Sequence, residues 1–227
     1  MANRFNDSAD SYSLTTLGAP HTLMAWVYIA VDTNSYSGIF VYNNGSQYFC
    51  GMDSTGTRLD FFNGGDNLGS EIAVGQWNHV AIVSGAGGTG TRVVYLNGVQ
   101  DISTTGDDIS GGTLFIGNSS GGLFLNGRMA AVKGWNSTLT QAQIQQEMFQ
   151  YLPRRTTNLF GFWSFLTATE GTVDFSGNGN TLTSNGTPIT EDGPPIRWSN
   201  GDNFSLPTIV EPVVASGGFY CMWEEIV

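Results

Sequence analysis

Apolar and polar positions alternate in short blocks along this chain. Stretches such as "TLMAWVYIAV", "GIFVYN", "QYFCGMD", "TRLDFFN", "WNHVAIV", "TRVVYLNGV", "GGTLFIGN", "NGRMAAVKGW" and "NLFGFWSF" return at intervals of about ten residues. Between them stand "NNGS", "STGT", "NGGD" and "SSGG", whose Gly, Asn, Asp and Ser residues suit tight turns. The blocks are rich in β-branched and aromatic residues, which fit a pleated, half-buried surface. The pattern predicts an all-β fold, a two-sheet antiparallel jelly-roll sandwich.

One segment departs from it. "TQAQIQQEMFQYL", Thr140 to Leu152, lacks Gly and Pro, and Ile144, Met148 and Leu152 share one helical face. Thr140 and Gln143 have capping-box spacing, and Pro153 is placed to stop the helix. The Gln run reads as a solvated face. After Trp198 the chain carries Pro207 and Pro212, then an apolar end with Phe219, Tyr220, Met222 and Trp223. The expected organisation is one sandwich over residues 1–198 and an extended C-terminal arm over 199–227. That arm either lies across its own sandwich or buries its aromatics on a neighbouring subunit.

Composition narrows the partners. The chain has 227 residues, 31 of them Gly, only 12% charged residues, and a formal net charge of -11. Seven of the eight basic residues are arginine, and Lys133 is the one lysine. Such a surface repels phosphate backbones and anionic lipid, so neither nucleic acid nor membrane is an expected partner. The opening "MANRFNDSADSYSLTT" lacks the charged start and apolar core of a secretion signal, and no apolar run approaches a membrane span. Two cysteines, Cys50 and Cys221, are too few for a disulfide framework or a structural zinc site, and spacing does not decide whether they pair.

Two glycine motifs invite enzymatic readings. Gly85, Gly87 and Gly90 match the dinucleotide-binding spacing, but "TRVVYLNGV" follows them as a strand, so a hairpin loop is the expected structure. "GNSSG", Gly117 to Gly121, matches a nucleophile elbow, yet both histidines, His21 and His79, lie upstream of it. His79 sits within a strand, where a packing role is expected.

Several of these stretches together resemble the laminin-G-like, concanavalin-A-like jelly-roll family. "RFNDSADSYSLTTLGAPHTLMAWVYI" is similar to the family's opening, with Trp26 on its strand. "GQWNHVAIV" and "VVYLNGVQ" resemble its central hairpin, and "LNGRMAAVKGWNSTLTQAQIQQE" its late strand and short helix. "FGFWSFLTATEGTVDFSGNGNTLTSNG" is similar to a tryptophan block that often opens the domain but here follows the helix, an arrangement associated with phage and prophage proteins. The resemblance spans roughly residues 4–198. It implies a possible structural calcium with Asp174, Asn178 and Asn180 as matching residues, although Ala130 and Ala131 stand where many relatives are acidic; otherwise no cofactor is expected. A hydrogen-bonded turn is the other reading of those three residues.

The same jelly roll also hosts glycan-cleaving enzymes, which place carboxylates in an E-x-D-x-x-E array along one strand; this chain has none, and a non-enzyme is expected. The leading functional expectation is a phage virion structural protein, a surface decoration or adhesion component. It would form a homo-oligomer, a trimer for instance, with other virion proteins as partners and Phe219, Tyr220, Met222 and Trp223 as its assembly arm. The expected location is the virion surface, or alternatively the extracellular space. The alternative function is a carbohydrate-binding module, with Tyr36, Tyr42 and Tyr48 as sugar-stacking candidates. A third reading is an interaction domain without specific chemistry.

Overall fold

The computed structural model describes residues 1–5, 10–15, 21–31, 35–43, 47–85, 90–106, 112–117, 122–168 and 170–196, leaving aside the side chains of residues 47 and 48. The arm and its aromatics, Cys221, Gly87 and most of "GNSSG" lie outside the described residues.

The strands are β1 (Ala2–Phe5), β2 (Ser11–Thr15), β3 (Thr22–Ile29), β4 (Ser37–Asn43), β5 (Gln47–Met52), β6 (Arg58–Asn63), β7 (Leu68–Glu71), β8 (Trp77–Ser84), β9 (Gly90–Leu96), β10 (Val99–Gly106), β11 (Thr113–Ile116), β12 (Gly127–Trp135), β13 (Leu159–Trp163), β14 (Thr183–Asn185) and β15 (Ile189–Glu191). They form two antiparallel sheets. The first runs β10-β9-β8-β3-β12-β1-β15, with β13 also paired to β12; the second runs β14-β2-β11-β4-β5-β6-β7. This is the jelly-roll sandwich that the alternation predicts.

Between the sheets, inward-facing residues such as Leu23, Val27, Phe40, Cys50, Phe61, Val80, Ile116 and Trp163 make one contiguous core. The strands on either side of the glycine motif pair as a hairpin's do: β8 and β9 are antiparallel, and Gly85 N–H donates to the Thr91 carbonyl at 3.0 Å. At the next turn Asn97 (φ 51) and Gly98 (φ 75) adopt the left-handed conformations that a two-residue hairpin needs. His79 is buried, with its ring edge-on to Trp26 at 5.5 Å, in the packing role its strand position predicts.

Helix α1 (Gln141–Met148) opens with the Thr140–Gln143 capping box. It ends at Met148, short of the expected Leu152, because its last carbonyls are claimed from the sheet below. Trp26 Nε1 donates to Met148 O at 2.7 Å, and Lys133 Nζ donates to Glu147 O and Gln150 O at 2.9 and 2.6 Å. Ile144 and Met148 are buried as the helical face predicts, while Leu152 is exposed. The Gln run is only partly solvated, since Gln141 and Gln145 both donate to the Gly98 carbonyl. The helix therefore covers the outer face of the first sheet, over Met24, Ala81, Tyr95 and Trp135.

Candidate functional site

Among the described residues no comparable cover of helix lies on the second sheet's outer face. The strand registers place Thr183, Ser13, Phe115, Val41, Phe49 and Phe62 opposite one another in sequence across five pairings, so they form one transverse row. Cross-strand neighbours share a face, and this row is the one turned away from the core. Phe49 and Phe62 stack nearly parallel at 5.2 Å, and Tyr36 stands edge-on to both at 5.6 and 6.4 Å. Val41, Phe49 and Leu123 are buried at the base of the cluster; Tyr36, Phe62 and Phe115 are only partly buried above them.

Carboxylates flank these rings. The Tyr36 hydroxyl donates to both oxygens of Asp66 at 3.0 and 3.1 Å, which raises the phenol's pKa. Asp60 lies beside Phe61 and Phe62 on β6. Its Oδ1 accepts from Asn67 N–H at 2.8 Å, while its Oδ2 is buried and accepts no hydrogen bond. Burial pushes the Asp60 carboxyl up to about 6, with Asp66 and Asp53 adding like-charge repulsion. Asp53 is spent on its own turn, accepting from Thr55 Oγ1, Thr57 N–H and Arg58 N–H. Flat apolar rings rimmed by acceptors can lie against the C–H face of a sugar while its hydroxyls donate to the rim.

Of the sequence candidates, Tyr36 lies in this patch. Tyr42 does not: it is 4% exposed and faces the core, because it sits one position out of phase with Val41 on β4. It is withdrawn as a sugar contact. Tyr48 pairs with Tyr42 across β4 and β5, and its side chain lies outside the described atoms. Phe49, Phe62 and Phe115 are absent from the sequence reading, which treats aromatics in strands as core.

Asp174, Asn178 and Asn180 do come together, as a hydrogen-bonded turn. Asp174 Oδ1 accepts from Phe162 N–H and Ser176 N–H, and Oδ2 from Asn180 N–H at 2.8 Å. The Asn178 and Asn180 amides donate to the Leu159 and Phe160 carbonyls at 2.6 and 2.7 Å. One carboxylate already holding three N–H groups does not fit a calcium ion, which wants six to eight oxygen ligands and usually several carboxylates. Among the described residues no group of three or more His, Cys, Asp or Glu is placed to hold a metal.

A second concavity, of about 450 Å³, lies at the other side of the molecule, lined by Tyr151, Leu152, Leu159, Phe162, Leu166 and Phe175 among others. Its walls are mostly apolar, so it offers few partners for sugar hydroxyls.

Two antiparallel sheets packed over one apolar core define a jelly-roll sandwich. The chain belongs to the concanavalin A-like lectin/glucanases superfamily, whose model matches residues 6–145. The fold is similar to that of a Bacteroides ovatus protein provisionally described as carbohydrate binding: TM-score 0.65, 19% identity, covering 86% of this chain and 61% of that one. It is also similar to domain 4 of an extracellular arabinanase from Geobacillus stearothermophilus, solved with arabinotriose: TM-score 0.53, 20% identity, covering 64% of this chain and 75% of that one. A heptameric pentraxin from Limulus polyphemus gives a TM-score of 0.53 at 18% identity, covering 83% of this chain and 93% of that one. At these identities the likeness is one of fold. A search of curated protein sequences returned no significant match.

Proposed function

We propose that the protein is a non-catalytic carbohydrate-binding module that holds a neutral glycan against the outer face of its second sheet. The observation that carries this reading is the Tyr36–Phe49–Phe62 cluster, in which Tyr36 and Phe62 are partly open to solvent over a buried Phe49 and the exposed Asp66 stands at the rim. Acidic rims and a net charge of -11 favour neutral sugars over uronic acids, whose carboxylates they repel. The arabinotriose held by the Geobacillus domain supports a glycan ligand in this fold. The chain lacks the carboxylate array of glycan-cleaving relatives, and Asp66 and Asp53 are occupied by their own neighbours, so binding without cleavage is the reading the residues favour.

This reverses the order of the sequence expectations. Glycan binding leads, and a place on a virion surface, which no similarity speaks for, is a proposal about where such binding would be used. Homo-oligomerisation fits the same reading, because repeated weak sites gain avidity; the heptameric pentraxin gives an example of this fold in an oligomer.

The test is affinity electrophoresis through gels containing neutral polysaccharides (arabinan, mannan, a β-glucan) or anionic ones (polygalacturonate, alginate). At least one neutral polymer is expected to retard the protein and the anionic ones are not. Free passage through every neutral gel would overturn the proposal.

A further inference from the structure

The apolar cleft at the end of helix α1 has an edge already occupied by the chain itself. Ile196, the last described residue, packs against the cluster of Ala131, Tyr151 and Phe162, the last two of which also line the cleft. Among the described residues nothing covers the remainder of the cleft: Phe175 is 50% exposed and Leu152 42%. Side chains of that size left half in water commonly mark a surface that something covers.

The 31 residues that follow Ile196 supply a complementary sequence. "FYCMW", Phe219 to Trp223, is uncharged and the most aromatic stretch after Trp198, and the cleft has room for about two large aromatic side chains. Charge agrees as well. Glu224 and Glu225 follow Trp223 directly, and Arg154 and Arg155, two of only eight basic residues, lie between the cleft residues Pro153 and Thr156. Twenty-two residues separate Ile196 from Phe219, and a flexible linker of that length spans roughly 26 Å. Tethered at the rim, the segment meets the cleft at an effective concentration on the order of millimolar. That exceeds any working protein concentration, so the chain's own segment outcompetes a neighbour's.

We infer that the cleft is the docking site of the chain's own C-terminal segment Phe219–Trp223, fastened at its rim by Glu224 and Glu225 against Arg154 and Arg155.

The two cysteines provide the readout in the full chain. Cys50 is buried in the core, and burial pushes its thiol pKa up, so it stays unreactive while the sandwich is folded. Cys221 lies inside the docking segment. Iodoacetamide should alkylate Cys221 at least tenfold more slowly in the native chain than in the urea-unfolded chain. Phe175→Glu with Leu152→Glu, and separately Trp223→Ala, should restore most of that rate while Cys50 stays inert; reversing the charges of Arg154 and Arg155 should restore it in part. Should the double variant expose Cys50 as well, the Trp223→Ala chain alone decides. Equal Cys221 rates in the native and unfolded chains, or protection that the variants leave untouched, would overturn the inference. So would protection that fades on dilution from about 100 to 1 µM, since the occupant would then come from a second copy.

Discussion

The two outer faces of the sandwich have been finished in opposite ways. On the first sheet Met24, Ala81, Tyr95 and Trp135 lie under helix α1, and the ion pair trapped there is hydrogen-bonded inward. Lys133, 1% exposed, reaches the Glu147 carboxylate at 3.4 Å as well as the Glu147 and Gln150 carbonyls, and Glu147 accepts from the backbone N–H groups of Arg154 and Arg155. On the second sheet Phe115 and Phe62 are partly exposed to water over the buried Val41 and Phe49, and the buried Asp60 Oδ2 beside them has no donor. The covered face pairs its one buried ammonium with a carboxylate, although the His79 Nδ1 within it has no partner, and that pairing serves stability. A face with partly exposed rings and the exposed Asp66 carboxylate beside them has chemistry left over for a ligand.

The largest test of that contrast removes one partner of the buried pair. Glu147→Ala strands the Lys133 ammonium and two backbone N–H groups, and it should cost about 3–5 kcal/mol in urea unfolding. The same variant, compared below its melting temperature, should leave retardation by neutral polysaccharide unchanged. Also on the covered side, Asp174→Ala leaves three N–H groups without their acceptor and should cost about 1–3 kcal/mol. Adding a chelator to the unaltered protein should not shift its melting temperature. A chelator-induced fall comparable to that of the variant would restore calcium to the Asp174 turn.

Acid should act on the two faces with opposite sign. Burial holds His79 down to about 3, against 6.5 unfolded, so the unfolded chain takes up its proton first and stability falls as pH drops below 6.5. Asp60 is raised to about 6, so between roughly pH 6 and 4 the folded chain binds the extra proton, and its contribution grows as pH falls and is lost as pH rises through 6. Each slope is worth on the order of 1–2 kcal/mol over that window. His79→Gln should flatten the first and Asp60→Asn the second in urea titrations from pH 4 to 7.5. Identical pH profiles for the two variants would break the contrast.

The covered face was the more legible one in the sequence. Thr140, Gln143, Ile144 and Met148 announce a capped amphipathic helix, and strong alternation marks β3, β8 and β9. Weaker strands such as β1 and β2 carry too few apolar residues to be seen and exist through their pairing with β12 and β11. The helix's early stop is equally invisible, because its cause is Lys133 and Trp26 reaching up from distant strands. For the glycan face the difficulty is phase. Phe61 and Phe62 are adjacent and chemically identical, yet one enters the core and the other the surface row. Only the register of β5 against β6 decides which, and the same rule separates Tyr42 from its neighbour Val41.

The central claim is that this row and its tyrosine bind sugar, and the direct measurement is affinity electrophoresis of Phe62→Ala and Tyr36→Ala beside the unaltered chain, in whichever neutral polysaccharide retards it most. Each substitution should weaken retardation about five- to tenfold, the loss of about 1–1.4 kcal/mol expected for a stacked ring, with unfolding still cooperative. Undiminished retardation in both folded variants would contradict the account and move the glycan elsewhere on the molecule.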